Sequence, residues 1–517
     1  MGDNWNMDNI PAEKFRFAQM EDRIHDAKFE TKPIGYFKDA WLRFKKNKAS
    51  IVAACIILFI VLFAIFGPFF SQYKISDADG VYAKVRPKSE FLSEIGIMDG
   101  TRAQRLNDKY YMHLMAMAMA SEDVDGQGAT WQEGLDSEYN AITKMGEVYS
   151  EAGKDYRDGN IDSYYSVGFR YKSITMSEYE KIKAWEKESG LQVLYPMVDR
   201  ENEYCDPFNR EDANYWYRHD SGSNPVDENG NRISLKAMQA NGLVDNYVRD
   251  AEGNIMDYVK KDKSMVMVRV LYYNYFIYEH GYEPLHLFGT DAQGYDIFVR
   301  MAHGARLSMI LAVCVAAINL CIGAIYGAIE GYYGGTIDLI MERIADILNG
   351  IPFIVVATLF QLHLVQTGKV STLGGLLFAF VLTGWIGTAY RVRTQFYRFK
   401  KQEYVLAART LGARDARLMF KHIFPNSLGT IITSSVLQIP GVILTESVLS
   451  YLGIANFNSQ NMTSLGTMLA NGQGTLATDP HIILLPALVI SLLMISFNLF
   501  GNGLRDAFNP SLRGADE

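Results

Sequence analysis

The chain has 517 residues, 49% of them hydrophobic and 21% charged, with a formal net charge of −8 and a mean hydropathy near zero. The net negative charge gives no basic footprint for nucleic acid, and four cysteines, three of them in apolar runs and Cys205 alone in a polar stretch, exclude an internal disulfide framework. No CxxC or Cys/His pair has metal-site spacing and no GxxxxGK[ST] loop occurs, so neither a metal, a cofactor nor bound ATP is expected.

The mean hydropathy conceals an uneven distribution. Residues 51–70 (IVAACIILFIVLFAIFGPFF) carry no charge and are long enough to cross a hydrocarbon core of roughly 30 Å as a helix. The run starts about 50 residues in, is too long for a signal-peptide core and has no small-residue cleavage site behind it, so it reads as a retained anchor. Lys38, Arg43, Lys45, Lys46 and Lys48 precede it, which places the N-terminal side in the cytoplasm by the positive-inside rule.

Residues 71–300 differ in composition. They hold 26 basic and 39 acidic residues, against 24 and 19 in the rest of the chain. An acidic outer part and a basic inner part fit one transmembrane orientation. About 230 residues suffice for an independent core. Turn signals at 227–231 (DENGN) and 250–254 (DAEGN) suggest hairpins. A helix is expected near 177–187. Residues 264–278, rich in Val, Tyr and Met but interrupted by Arg269 and Asn274, read as a buried strand. A mixed α+β domain follows. Its tyrosines suit core packing or a peptide or protein partner. Asp123, Asp125, Gly126 and Gly128 match the start of an EF-hand loop, but position 12 is Gly134, so a solvated Asp/Gly turn is the reading carried forward. His280 and His286 are unpaired in sequence. No constellation for an ectoenzyme stands out.

After residue 300 the apolar runs resume. Helices are expected near 305–328, 347–366, 371–390, 427–452 and 481–504, making six in all. An even count returns the C-terminus to the cytoplasm. The basic stretch from Arg391 to Lys421 then lies between the fourth and fifth helices, also inside. Glu446, in the fifth helix, is a candidate for the translocation pathway, since an ionisable group in a span faces the bundle interior or a water-filled cavity. A structural hydrogen bond to a neighbouring helix is the other reading.

Residues 403–426 (EYVLAARTLGARDARLMFKHIFPN) predict a short helix to Leu411, a break at Gly412, and a second helix over 415–423 stopped by Pro425. This stretch resembles the EAA motif of ABC importer permeases. Ala407-Ala408, three residues, Gly412, nine residues and then His422-Ile423-Phe424-Pro425 keep its spacing. Leu406 stands at the motif's Glu position and His422 at its Ile position, and Glu403 lies one turn earlier. Further segments resemble the C-type oligopeptide/dipeptide permeases: PLHLFGTD (284–291) with GYD (294–296), GARLS (304–308), GYYGG (331–335), ESVLSYLG (446–453), NLFGNGLRD (498–506) and the FGP at 66–68.

The resemblance implies a mainly α membrane protein with six transmembrane helices of the type I ABC importer permease fold; it does not extend to residues 76–283, where typical members have only a short link, and these read from their own composition as an inserted α+β extracytoplasmic domain. The implied organisation is a cytoplasmic segment 1–50, a first transmembrane helix 51–70, the extracytoplasmic insertion 71–288, and a permease core 289–510 with five helices and a cytoplasmic coupling loop 395–426. Glu403, Ala407, Ala408, Gly412, Ala413 and Pro425 become the ATPase-coupling residues. Implied partners are a second homologous permease subunit, two cytoplasmic ATPase subunits, an extracytoplasmic substrate-binding protein, a peptide substrate and membrane lipid. The expected function is the permease subunit of a peptide importer in a prokaryotic cell membrane. Two alternatives stay open: the same architecture moving nickel chelates or another small solute, and a membrane-anchored binding or sensor module acting through its outer domain.

Overall fold

The computed structural model describes residues 35–262, 264–457, 459 and 461–508. Residues 1–34 of the expected N-terminal segment and 509–510 of the expected core lie outside the described residues.

Among the described residues, five helices are long and apolar enough to span a membrane: Lys48–Phe70, Ile297–Tyr333, Thr372–Phe399, Asp415–Tyr451 and His481–Phe508. The helix expected near 347–366 is instead the second arm of a bent pair. Gly335–Asn349 and Phe353–Val365 meet at 70°. The break falls at Gly350–Pro352, where proline cannot donate to the helix ladder and disfavours helical geometry in the residue before it. The expected count of six therefore holds when the bent pair is taken as one span. The second span is also longer than expected. It starts at Ile297, where Asp296 caps it by accepting the Val299 N–H at 2.8 Å.

The spans share a core of Ile60, Ala305, Ala312, Val315, Ala379, Ile443 and Leu493, among others. A preceding helix, Tyr36–Lys46, packs Ala40 and Phe44 against Ala507 of the last span. Ser50 sits so close to Gly503 that a Cβ there would lie 1.9 Å from its Oγ.

Between the first two spans lies an α+β region. One antiparallel sheet holds Thr101–Asn107, Lys154–Asp162 and Ile142–Glu151 in that spatial order. In the other, Met265–Leu271 is central, pairing Phe169–Thr175 on one side and Leu194–Tyr195 and Tyr258–Lys260 on the other. The turns at 227–231 and 250–254 are closed by the bridges Val226↔Arg232 and Arg249↔Ile255. The helix expected near 177–187 runs Met176–Ser189.

The expected strand 264–278 is half strand and half helix. The chain switches after Leu271 to the helix Tyr272–His280. Tyr272, Tyr273, Tyr275 and Phe276 are all buried, and their helical spacing puts one aromatic face into the core. Arg269 is fully buried in the strand. Its Nε donates to the Ala213 carbonyl at 2.8 Å and its guanidinium lies 3.8 Å from the Phe169 ring centroid. Tyr82, Tyr164, Tyr195 and Tyr217 are also fully buried, so many of the tyrosines serve the core.

Candidate functional site

The helix Glu403–Thr410 ends in a Schellman turn. The Gly412 N–H donates to Arg409 O at 3.0 Å and the Ala413 N–H to Ala408 O at 3.1 Å. Gly412 has φ +82°, which a residue with a Cβ adopts only at a cost. Ala408 and Ala413 pack together with Val405, Leu418, Met419, Ile423, Val392 and Phe396. These small residues thus fold the segment back on its own base. The other face points outward: Glu403, Leu406 and Ala407 are exposed, and Leu411 is 88% exposed at the tip of the turn. Residues 395–399 of the expected coupling loop belong to the preceding helix, Ile386–Phe399.

Pro425 does not stop the chain's helical path. Asp415–Arg417 leads into a π-helical stretch, Leu418–Ile423, and Pro425 sits in the first turn of Phe424–Val436. The wider π turn accommodates a residue that cannot donate. His422 lies in that turn, half-buried, and its carbonyl accepts from Asn426 Nδ2 at 2.8 Å.

The segment is tied to the end of Ile297–Tyr333 by side chains the sequence had not singled out. Tyr332 Oη donates to Asp415 Oδ1 at 2.6 Å and accepts from Arg409 Nη2 at 3.2 Å. Lys400 Nζ donates to the carbonyl of Gly331 at 2.8 Å. Arg393 clasps Asp338 with two hydrogen bonds, 2.6 and 2.9 Å, reaches Glu342 at 3.1 Å and lies 3.6 Å from Glu330. Tyr397 also donates to Asp338. Three carboxylates inside apolar helices, next to a basic loop, were the signal available in the sequence.

Helix contact here is backbone on backbone. A Cβ at Gly323 would lie 2.7 Å from Trp385 O, at Gly327 2.1 Å from Ala389 O, and at Gly331 2.7 Å from Arg393 O. The spacing of four places these glycines in one stripe, which lets Ile297–Tyr333 and Ile386–Phe399 approach closely.

Glu446 is buried between helices. Ser308 Oγ donates to Oε2 and Ser450 Oγ to Oε1, each at 2.9 Å. Its carboxylate therefore ties Ile439–Tyr451 to Ile297–Tyr333.

At the opposite end of Ile297–Tyr333 the 284–296 segment forms a junction with residues 78–88. Its 37 residues separate the two ends by about 55 Å. Thr290 Oγ1 donates to Tyr82 O at 2.5 Å and accepts from the Val85 N–H at 3.0 Å. Gly294, with φ +84°, packs so tightly that a Cβ would meet Asp79 O at 1.9 Å. Asp296 holds the buried His286 ring, Nδ1 to Oδ2 at 2.9 Å. Asp123 is likewise used internally: its oxygens accept the Gly128 N–H at 2.9 Å and the Tyr247 hydroxyl at 3.0 Å. Among the described residues no group of three His, Cys, Asp or Glu side chains could hold a metal ion.

Residues 319–514 match the family described as binding-protein-dependent transport system inner membrane component. Residues 35–87 match the N-terminal TM domain of oligopeptide transport permease C, a match that continues past the first span into the junction. The oligopeptide transport system permease protein OppC of Bacillus subtilis is 44% identical over 228 residues, 44% of this chain and 72% of its own length. The dipeptide transport system permease protein DppC of the same organism is 42% identical over 229 residues, 44% of this chain and 69% of its own. OppC of Escherichia coli is 35% identical over 231 residues, 45% and 74% of the two chains. Among solved structures, a chain of an amino acid ABC transporter aligns over 40% of this chain and 92% of its own, at 16% identity and a TM-score of 0.32.

Proposed function

The chain belongs to the oligopeptide and dipeptide transport permeases, and from that premise we propose that it forms, with a second homologous permease subunit, a pathway that imports peptides, driven by two separate ATPase subunits. An outer binding protein delivers the cargo. The observation that carries this reading is the Schellman turn at Gly412, which turns Ala408 and Ala413 inward and presents Leu411 and Ala407 as a small apolar tip. A tip of that kind fits a groove on a partner, and the small side chain of Ala407 lets the partner approach closely.

The basic residues around the tip put it on the cytoplasmic side, by the positive-inside rule. The α+β region, at the far end of the same helix, is then extracytoplasmic, and both termini are cytoplasmic. We place the ATPase-coupling role on Glu403, Ala407, Ala408, Gly412, Ala413 and Pro425, with Leu411 added to them. The part given to Glu446 is to hold two pathway helices in register. The region between residues 88 and 283 is an insertion that stands over the outer mouth and either docks the binding protein or shapes the entry path.

Closure of the ATPases displaces the tip. The bonds from Arg409 and Asp415 to Tyr332 pass that displacement to the long span, and the bundle switches between inward-open and outward-open states. A sensor acting through the outer region has no use for such a tip. The test is co-purification of the chain with its neighbouring subunits, comparing the unaltered protein with Leu411→Asp. The unaltered chain retains the ATPase and the variant loses it. ATPase retention by both, or by neither, overturns the docking role of the turn.

A further inference from the structure

Residues 89–98 (SEFLSEIGIM) form a closed finger at the root of the α+β region. Its base is pinned. Lys88 pairs with Asp99 in a β-bridge, the Ser89 N–H donates to Met98 O at 2.9 Å, and the Gly100 N–H donates to Pro87 O at 3.0 Å. The Lys88 N–H donates to His286 O at 2.9 Å, which fixes the finger to the segment leading into Ile297–Tyr333. The finger carries a single helical turn, Glu90–Ser93, and folds back on it through the Ile97 N–H, which donates to Leu92 O at 3.1 Å. No residue of that turn is buried. The finger's large apolar side chains point away from the protein: Phe91 is 79%, Ile95 66% and Ile97 56% exposed.

The position of the finger says what covers them. Glu90 of the finger, Phe70, Leu287 and Phe298 wall one cavity of about 490 Å³. Phe70 is the last residue of the first span, and Phe298 lies in the first turn of the second. The finger therefore stands where both spans leave the bilayer. The apolar surface is continuous there: Phe69 and Phe70 are strongly exposed, and they prolong the exposed face that Phe59, Leu62 and Phe66 give the first span. A contiguous apolar patch marks an interface, and beside the ends of two spans that interface is the boundary between lipid headgroups and acyl chains. Residues 89–100 contain no Lys or Arg but hold Glu90, Glu94 and Asp99, so the attraction is apolar and owes nothing to anionic lipid. We propose that the finger inserts Phe91, Ile95 and Ile97 into the adjoining leaflet and so anchors the α+β region to the bilayer surface. The inference needs only the membrane spans and is independent of the cargo.

The test places p-benzoylphenylalanine at Phe91, at Ile97 or, as control, at Phe208 in the otherwise unaltered chain, purified with its neighbouring subunits in phosphatidylcholine nanodiscs. All three side chains are exposed, so the replacement leaves the core intact; Phe208 is 93% exposed and does not line the cavity. After irradiation, intact-mass measurement is expected to find a phospholipid adduct at 91 and at 97 about ten times as often as at 208. Exchanging part of the phosphatidylcholine for phosphatidylglycerol is expected not to raise the yield. Yields at 91 and 97 no higher than at 208, adducts to the binding protein or to a second permease subunit in place of lipid, or a yield that rises severalfold with the anionic lipid overturns the proposal.

Discussion

Replacing Gly412 isolates the backbone of the coupling turn from its contacts. No heavy atom lies within 4 Å of where a Cβ would stand, so substitution meets no steric obstacle. The whole cost is conformational: φ is +82°, and an ordinary L-residue pays about 1–2 kcal/mol to stay there. Asparagine tolerates that region better than alanine, and a β-branched residue tolerates it worst. The expected order of function is therefore Gly, then Asn, then Ala, then Val. A cost of that size changes the population of the formed turn by roughly 5- to 30-fold. Without the turn, Leu411 leaves its position and Ala413 leaves Ala408. The assay is peptide uptake, with ATP hydrolysis, by the complex reconstituted in liposomes. Asn falling to the level of Val, or Ala matching Gly, refutes the reasoning, because either result means that side-chain bulk against a partner, not backbone geometry, governs the position.

Tyr332→Phe removes the hydroxyl that joins Asp415 and Arg409 but leaves the tip intact. It is expected to cost about 1 kcal/mol at the joint and to lower the peptide carried per ATP hydrolysed while ATPase binding persists; an unchanged ratio counts against the transmission path. Glu446→Ala strands the buried hydroxyls of Ser308 and Ser450 and is expected to lower the unfolding temperature in detergent, with a loss of about 0.6–1.7 kcal/mol for the one interhelical bond, from Ser308, whereas Glu446→Gln keeps an acceptor and loses less; equal losses refute the hydrogen-bonded tie. Burial holds His113 down at about pH 4, with His219 and Lys109 acting in the same direction against Asp212. A histidine kept neutral by folding adds stability that is complete above its unfolded value near 6.5 and is lost as pH falls from there through about 4. The change is on the order of 2–3 kcal/mol. His113 touches Tyr217, next to Trp216, so tryptophan-monitored unfolding of the full chain between pH 7 and 4 reads it. A stability flat across that window overturns the assignment.

The spans and the turn at Gly412 were legible because each rests on local chemistry. A charge-free run has one way to cross a bilayer, and the Ala-Ala-x3-Gly spacing encodes one outward and one inward alanine followed by a left-handed residue. Pro425 misled for a related reason: proline forbids a donor at one position, and a π turn removes the need for that donor without ending the helix. The strand expected over 264–278 changed to helix at Tyr272 because a run of buried aromatics satisfies either period until its neighbours are known. The acidic partners of Arg393 were out of reach for a different reason. Glu330, Asp338 and Glu342 meet it across two helix breaks, and no sequence spacing specifies that encounter. The His286–Asp296 pair lies in a motif that was recognised, yet the Tyr73 ring stacked on it comes from more than two hundred positions earlier in the chain.

The glycine stripe decides what kind of motion the tip can cause. With backbones in contact at Gly323, Gly327 and Gly331, Ile297–Tyr333 and Ile386–Phe399 have no side-chain layer in which to slide or rotate against each other. They move as one body. Arg393, on the second of these helices, holds Asp338 and Glu342 and so carries the bent pair's first arm, Gly335–Asn349, with that body. A displacement applied at Arg409 and Asp415 therefore reaches Tyr332 as a push on a lever, about 55 Å from the end that bears Asp296 and His286. A rigid body carries a rotation applied at one end through to the other.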